Sequence, residues 1–187
     1  MNKTLKLLII SDMFILGGFG LISPILAVFI KDNLVGGTLF TAGLASTIFL
    51  ITHAILQMVF ANVFNPKDRR WMLLLGTGLI VSVPFIYTFS THILHIFLAQ
   101  FIYGIGAGFA YPAWYSLFTS NVEKKSSGFQ WSLNNSAISI CTAITAAGGA
   151  WLAEKIGFQW VFLVTGAIAV TGLLILFHLD KKVNKRI

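Results

Sequence analysis

Residues 93–119 read ILHIFLAQFIYGIGAGFAYPAWYSLFT, and no Lys, Arg, Asp or Glu interrupts them. A helix rises 1.5 Å per residue, so about 20 residues of this composition cover the roughly 30 Å of hydrocarbon in a bilayer. The stretch lacks the period-two alternation of a membrane-barrel strand, and a lone backbone in lipid satisfies its own hydrogen bonds only as a helix. It reads as a membrane-crossing helix, and that reading decides the fold class.

Five similar blocks surround it, so the expected spans are 7–30, 40–63, 71–89, 93–119, 133–153 and 158–177. The 187 residues are 57% hydrophobic and 10% charged, with a mean hydropathy of +0.85; a soluble domain is about one quarter charged. The sequence predicts an all-α membrane protein, with a single six-helix transmembrane domain over residues 1–187. Every loop is short, with no soluble domain or low-complexity tail, so function is expected within the bundle.

The formal net charge of +7 points to topology and not to nucleic acid, because the basic residues sit in the gaps between spans. One side holds Lys3, Lys6, Lys67, Arg69, Arg70, Lys124, Lys125, Lys181, Lys182, Lys185 and Arg186, and the other only Lys31 and Lys155. The rich side is expected in the cytoplasm, with both termini there, in a multi-pass protein of the plasma or inner membrane. Trp71, Trp131, Trp151 and Trp160 fall near span ends, where amphipathic rings anchor at the headgroups. Lys3 and Lys6 precede an apolar stretch too long for a signal peptide and lacking a cleavage site, so the first helix is expected to be retained. Cys141 is the only cysteine, and no His/Cys cluster has metal-ligand spacing; neither a metal nor a cofactor is expected.

An offset of 88 residues places Pro24 on Pro112, Gly18 on Gly106, Gly20 on Gly108, Asp12 on Gln100 and Asn33 on Asn121. The shared core is G-x-G-x-x-x-P. The first span runs outward and the fourth inward, so a three-helix repeat at this offset has inverted topology, as in many carriers. Chance matches in a chain with 17 glycines are the competing reading. The glycines, including the Gly104-x-x-x-Gly108 spacing, let neighbouring backbones approach, and each proline releases a carbonyl and softens its helix.

These residues resemble the major facilitator superfamily, whose members usually carry twelve helices as two six-helix halves; the chain looks like one N-terminal-type half. Gln100 to Gly108 is similar to the family's R-x-x-x-G-x-G-x-G stretch, with Gln100 where Arg is usual. The stretch from Gly148 and Gly149 through Gly157 to Phe162 resembles the family's end of helix five, outer loop and start of helix six. Residues 61–70 resemble the G-x-L-A-D-R-x-G-R-R loop in position and in the basic pair Arg69 and Arg70; Ala61, Asn65 and Asp68 replace the usual Gly, Asp and Gly. The resemblance implies a cytoplasmic gate at Asn65, Asp68, Arg69 and Arg70, with a weaker or different lock. It also implies a 3+3 inverted repeat and helices one and four along a central cavity.

Halves of such carriers are parallel repeats, so two copies of this chain in one orientation would rebuild the architecture. The ends read as complete, with a basic tail where a seventh helix would start, which favours a homodimer over a second, different half.

Ionisable residues inside spans are functional candidates by default, and Asp12 and His53 qualify. Asp12 would bind a cation or carry a coupling proton, unless it only sits near the interface. His53, with Gln57 one turn on, would relay a proton or bond a solute; the plainer role is a bond to a neighbouring helix. Gln100, Tyr103, Tyr111 and Trp114 share a helical face suited to a polar organic solute, or to packing. Asn134 and Asn135 read as a helix cap in preference to the bolder reading, contact with the solute. The expected function is transport of a small solute by alternating access through a half-size carrier. The alternative is a six-helix solute-binding subunit of a larger complex. An intramembrane protease would need G-x-S-x-G, which is absent, so the chain is not expected to be an enzyme.

Overall fold

The computed structural model describes residues 1–63 and 69–179. Its elements are α1 (Lys3–Phe19), α2 (Leu26–Asn33), α3 (Leu39–Val63), α4 (Arg69–Thr88), α5 (Ile93–Asn121), α6 (Ser127–Ile156) and α7 (Phe158–Phe177), with a 3₁₀ turn at Lys124–Ser126. The described residues form no β-strand; their one extended pairing is an isolated parallel bridge between Val35 and His92. Helices α3 to α7 are each long and apolar enough to cross a membrane.

The first apolar block, expected as one helix over 7–30, is instead broken between α1 and α2. Pro24 has no N–H to give to a helical ladder. Before it, the N–H groups of Leu21 and Ile22 reach back three residues, to Gly18 and Phe19, at 3.1 and 3.0 Å. The tightened turn ends at Ile25, and α2 resumes from Leu26.

Close backbone approaches at glycine set the packing. On α5, a Cβ at Gly104 or Gly108 would lie 2.6 Å from Thr52 Cβ or 2.7 Å from Leu56 Cβ of α3; at Gly106 it would lie 2.7 Å from Gly76 O of α4. On α1, Gly17 and Gly20 abut Cys141 and Thr145 of α6, while Gly18 abuts Ile168 of α7. Two side-chain bonds fix α1 further: Ser11 Oγ donates to Gly172 O at 2.9 Å, and Thr145 Oγ1 to Gly17 O at 2.6 Å. Helix α4 joins the two groups by packing on α7. Two apolar cores result, one around Leu5, Leu8, Leu73 and Phe118, the other around Ile30, Tyr87, Ile96 and Phe162.

The outer helices contribute little to these cores. In α3 only Ala42 and Ala45 are buried, and in α6 only Gln130, Asn134 and Gly149.

Both ends of the bundle are stitched. At the end carrying Arg69, Arg70 and Lys124, Arg70 Nη2 donates to Phe177 O at 3.0 Å, satisfying a carbonyl in the last turn of α7. Arg69 Nη1 donates to Ser120 Oγ at 3.1 Å, and Asn2 Nδ2 to Asn121 Oδ1 at 2.9 Å. The Met1 ammonium lies 2.9 Å from Glu123 Oε1, and its hydrogen bond and charge hold that carboxyl below the usual carboxylate range. At the other end, Val35 N donates to Thr91 O and Ile93 N to Val35 O, both at 3.1 Å. There Gly157, at φ +89°, ends α6 and starts α7 in a conformation that favours glycine.

Candidate functional site

A cavity of about 220 Å³ lies among α1, α4, α5 and α6, with Asp12, Thr77, Tyr111, Trp114, Trp131 and Asn134 on its walls. The bond from Ser11 to Gly172 turns Ser11 onto α7, and Asp12, the next residue on the helix, lines the cavity. The rim residues Tyr115 and Asn135 are exposed.

Two polar atoms on the walls are buried without a hydrogen-bond partner among the described residues: Trp114 Nε1, a donor, and Asn134 Oδ1, here an acceptor. Buried polar groups are nearly always bonded, so such a pair stands out. His53 Nε2 is likewise buried and unpartnered. The His53 ring stacks on Phe49 at 5.7 Å and meets the edge of Tyr111 at 4.9 Å.

Aromatic rings continue from this point in both directions. Phe49 contacts Tyr103 at 4.3 Å, and Tyr103 contacts Phe19 at 5.1 Å. On the other side, Trp114 lies 5.6 Å from Tyr115 and 6.0 Å from Trp131, and Trp131 packs on Phe118 at 4.3 Å. These rings offer flat, apolar faces, with Tyr and Trp also bringing polar tips.

The structure thus brings Asp12, Tyr111 and Trp114 together and sets His53 against Tyr111. Gln100 and Tyr103 line a second cavity of about 290 Å³ with Phe19, Gly20, Ser23 and Thr142. Gln57 is half-buried and on neither wall. Of the packing glycines, Gly18, Gly20, Gly104, Gly106, Gly108 and Gly149 sit at close helix contacts, but a Cβ at Gly148 would meet nothing within 4 Å, so that residue marks no contact. Pro24 lies in the turn between α1 and α2; Pro112 lies inside α5 and lines a third cavity, of about 580 Å³, with Arg69, Ser116 and Ser120. Asn65 and Asp68 fall outside the described residues. Arg69 and Arg70 donate to α5 and α7.

The family model for the Major Facilitator Superfamily matches residues 8–187. The chain belongs to that family. Curated relatives include the quinolone resistance protein NorA of Staphylococcus aureus strains Mu50 / ATCC 700699, N315 and MW2, each 24% identical over 190 residues. The match covers 97% of this chain and 47% of each relative, so the chain spans about half the length of the curated relatives it matches. Family and apolar helices together make it a multi-pass membrane protein, with the lipid bilayer as its surroundings.

Within this member of the superfamily, the sequence alone did not single out Thr77 or Tyr115, placed Trp131 at the headgroups, and favoured a helix cap over solute contact for Asn134. Asn134 and Asn135 do not cap a helix: α6 starts at Ser127, about two turns earlier, because polar Ser127, Gln130 and Ser132 continue the helix below the apolar block. Trp131, expected at the headgroups, packs on Phe118 and lines the cavity. The available signal was the spacing of Trp131, Asn134 and Ile138, which share one helical face at i, i+3 and i+7.

Proposed function

We propose that the chain is a half-size secondary carrier that moves a small, flat organic solute by alternating access, working as a parallel homodimer with both termini in the cytoplasm. One observation carries the reading: a mostly apolar, aromatic-walled cavity holding Asp12 has an exposed rim, is walled in part by α6 and adjoins α3 through the Tyr111–His53 contact, and both of those helices are barely buried. A carboxylate opening toward hydrocarbon is costly. A second copy laid over α3 and α6 would close the cavity within protein and leave its long axis open to both sides in turn.

The inverted repeat is supported by how the helices meet. A Cβ at Gly18 would lie 3.0 Å from Ile168, and one at Gly106 would lie 3.1 Å from Ile80; the two pairs are related by the same 88-residue offset. Exchanging α1 with α5, α6 with α3 and α7 with α4 maps the α4–α5 packing onto α1–α7 and the α3–α5 packing onto α1–α6, and leaves α4–α7 as the pair that joins the two groups. The relatives' name links them to quinolone resistance, and a fused aromatic ring of that type suits walls built from Tyr111, Trp114 and Trp131.

The test is reconstitution at low density in lipid vesicles, with single-molecule subunit counting and flux of a fluorescent quinolone. Parallel dimers that move the dye, about ten-fold slower as Asp12→Asn, support the reading. Monomers that move nothing sink it, and copurification of a different subunit with a tightly held solute redirects it to the solute-binding alternative.

A further inference from the structure

Most of the cavity wall is explained by packing; the unpaired donor and acceptor are not. Trp114 stacks on Phe118 at 4.6 Å and meets Tyr115 and Trp131 edge-on, so its ring is held on three sides while its N–H finds no acceptor. Asn134 is only 3% exposed, on a helix that otherwise buries almost nothing, and its carbonyl oxygen finds no donor. A buried indole N–H usually finds an acceptor, and here none is supplied by the described residues. A buried amide in place of Leu is costly unless its bonds are made.

Both atoms belong to residues that line one cavity, Trp114 from α5 and Asn134 from α6, and aromatic faces lie beside them. From this pairing we infer that the cavity selects a flat heteroaromatic solute bearing both a hydrogen-bond acceptor, taken by Trp114 Nε1–H, and a hydrogen-bond donor, given to Asn134 Oδ1. The inference rests on the cavity being the solute site and adds what that site reads. A site built around buried polar atoms rejects an analogue lacking the matching group far more strongly than an apolar slot rejects a change of size, because such an analogue leaves those atoms unpaired. A purely apolar ring of the same outline is therefore a poor ligand, although the walls are mostly apolar.

The experiment is equilibrium binding to the purified full chain in phospholipid nanodiscs, read by ligand fluorescence anisotropy, with empty nanodiscs subtracted for partition into lipid. Three rings of similar outline serve as probes: acridone, with a carbonyl and an N–H; N-methylacridone, without the donor; and anthracene, without either group. Acridone is expected to bind about ten-fold tighter than N-methylacridone, with anthracene weakest, a factor of ten being about 1.4 kcal/mol. Asn134→Leu should erase the difference between acridone and its N-methyl form. Trp114→Phe should weaken both acridones about ten-fold, a larger loss than anthracene suffers from the smaller ring.

Equal affinity for the three rings, binding of none of them, or an unchanged order in both variants overturns the inference. The probe series on the unaltered chain decides the matter even if a variant fails to fold. Because binding is read without transport, a chain that shows this order yet moves no solute in vesicles overturns the carrier reading alone. A chain that moves a quinolone without showing the order overturns this inference alone.

Discussion

Helix α1 with its continuation α2, and helix α5, carry the same pattern of Gly-x-Gly-x-x-x-Pro, yet one breaks and the other runs through. Around Pro24 the chain leaves the helix at Gly20 and returns at Leu26; around Pro112 the helix is unbroken from Ile93 to Asn121. Proline removes one N–H in both places, so proline alone does not decide the outcome. The neighbours do. Helix α5 is gripped along its length by α3 and α4, with buried residues from Ile93 to Phe118. At the break, Gly149 of α6 lies directly against the Leu21 backbone, and Thr145 meets Gly20 while bonding Gly17 O. A straight helix would drive its turn into that surface.

The largest effect should come from filling that contact. Gly149→Val would place its side chain within the Leu21 backbone, and we expect a loss of about 3 kcal/mol or more, read as failure to recover a monodisperse protein or a steep fall in thermal stability. Gly106→Ala tests the same principle in the unbroken helix. Its Cβ would lie 2.7 Å from Gly76 O, and backbone has little room to yield, so a loss of about 2 kcal/mol is expected in a thermal or denaturant melt.

Thr145→Val keeps the shape beside the break but removes the hydroxyl that bonds Gly17 O, for an expected cost of about 1 kcal/mol by the same melt. A cost near zero would mean the turn holds itself. The smallest effect is expected from Pro112→Ala: α5 is already continuous, so stability should move by less than about 1 kcal/mol and helix content by circular dichroism should not change. A large gain there would show strain in α5 and weaken the contrast with Pro24.

The all-α class and the family were legible in the sequence because apolar blocks without charge are read directly as helices, and the stretches at Gln100–Gly108 and Gly148–Phe162 carry local signatures. The break at residues 20–25 was not legible, because it depends on α6, a partner more than 100 residues away in the chain. Asp12 stood out, being a carboxylate inside an apolar run. Asn134 and Trp131 stood out less: in sequence each has an ordinary role near a helix start, and only the third dimension shows them lining one cavity with Trp114.

The stitching at the two ends of the bundle bears on motion. The Val35–His92 bridge joins the loop after α2 to the start of α5, and Arg70 joins α4 to the last turn of α7. Each ties the group built on α1 to the group built on α5, at opposite ends of the molecule. Fastened in this way top and bottom, the two groups form one lever with no fulcrum inside it; in the carrier proposed above, opening and closing would then come from tilting against the second copy.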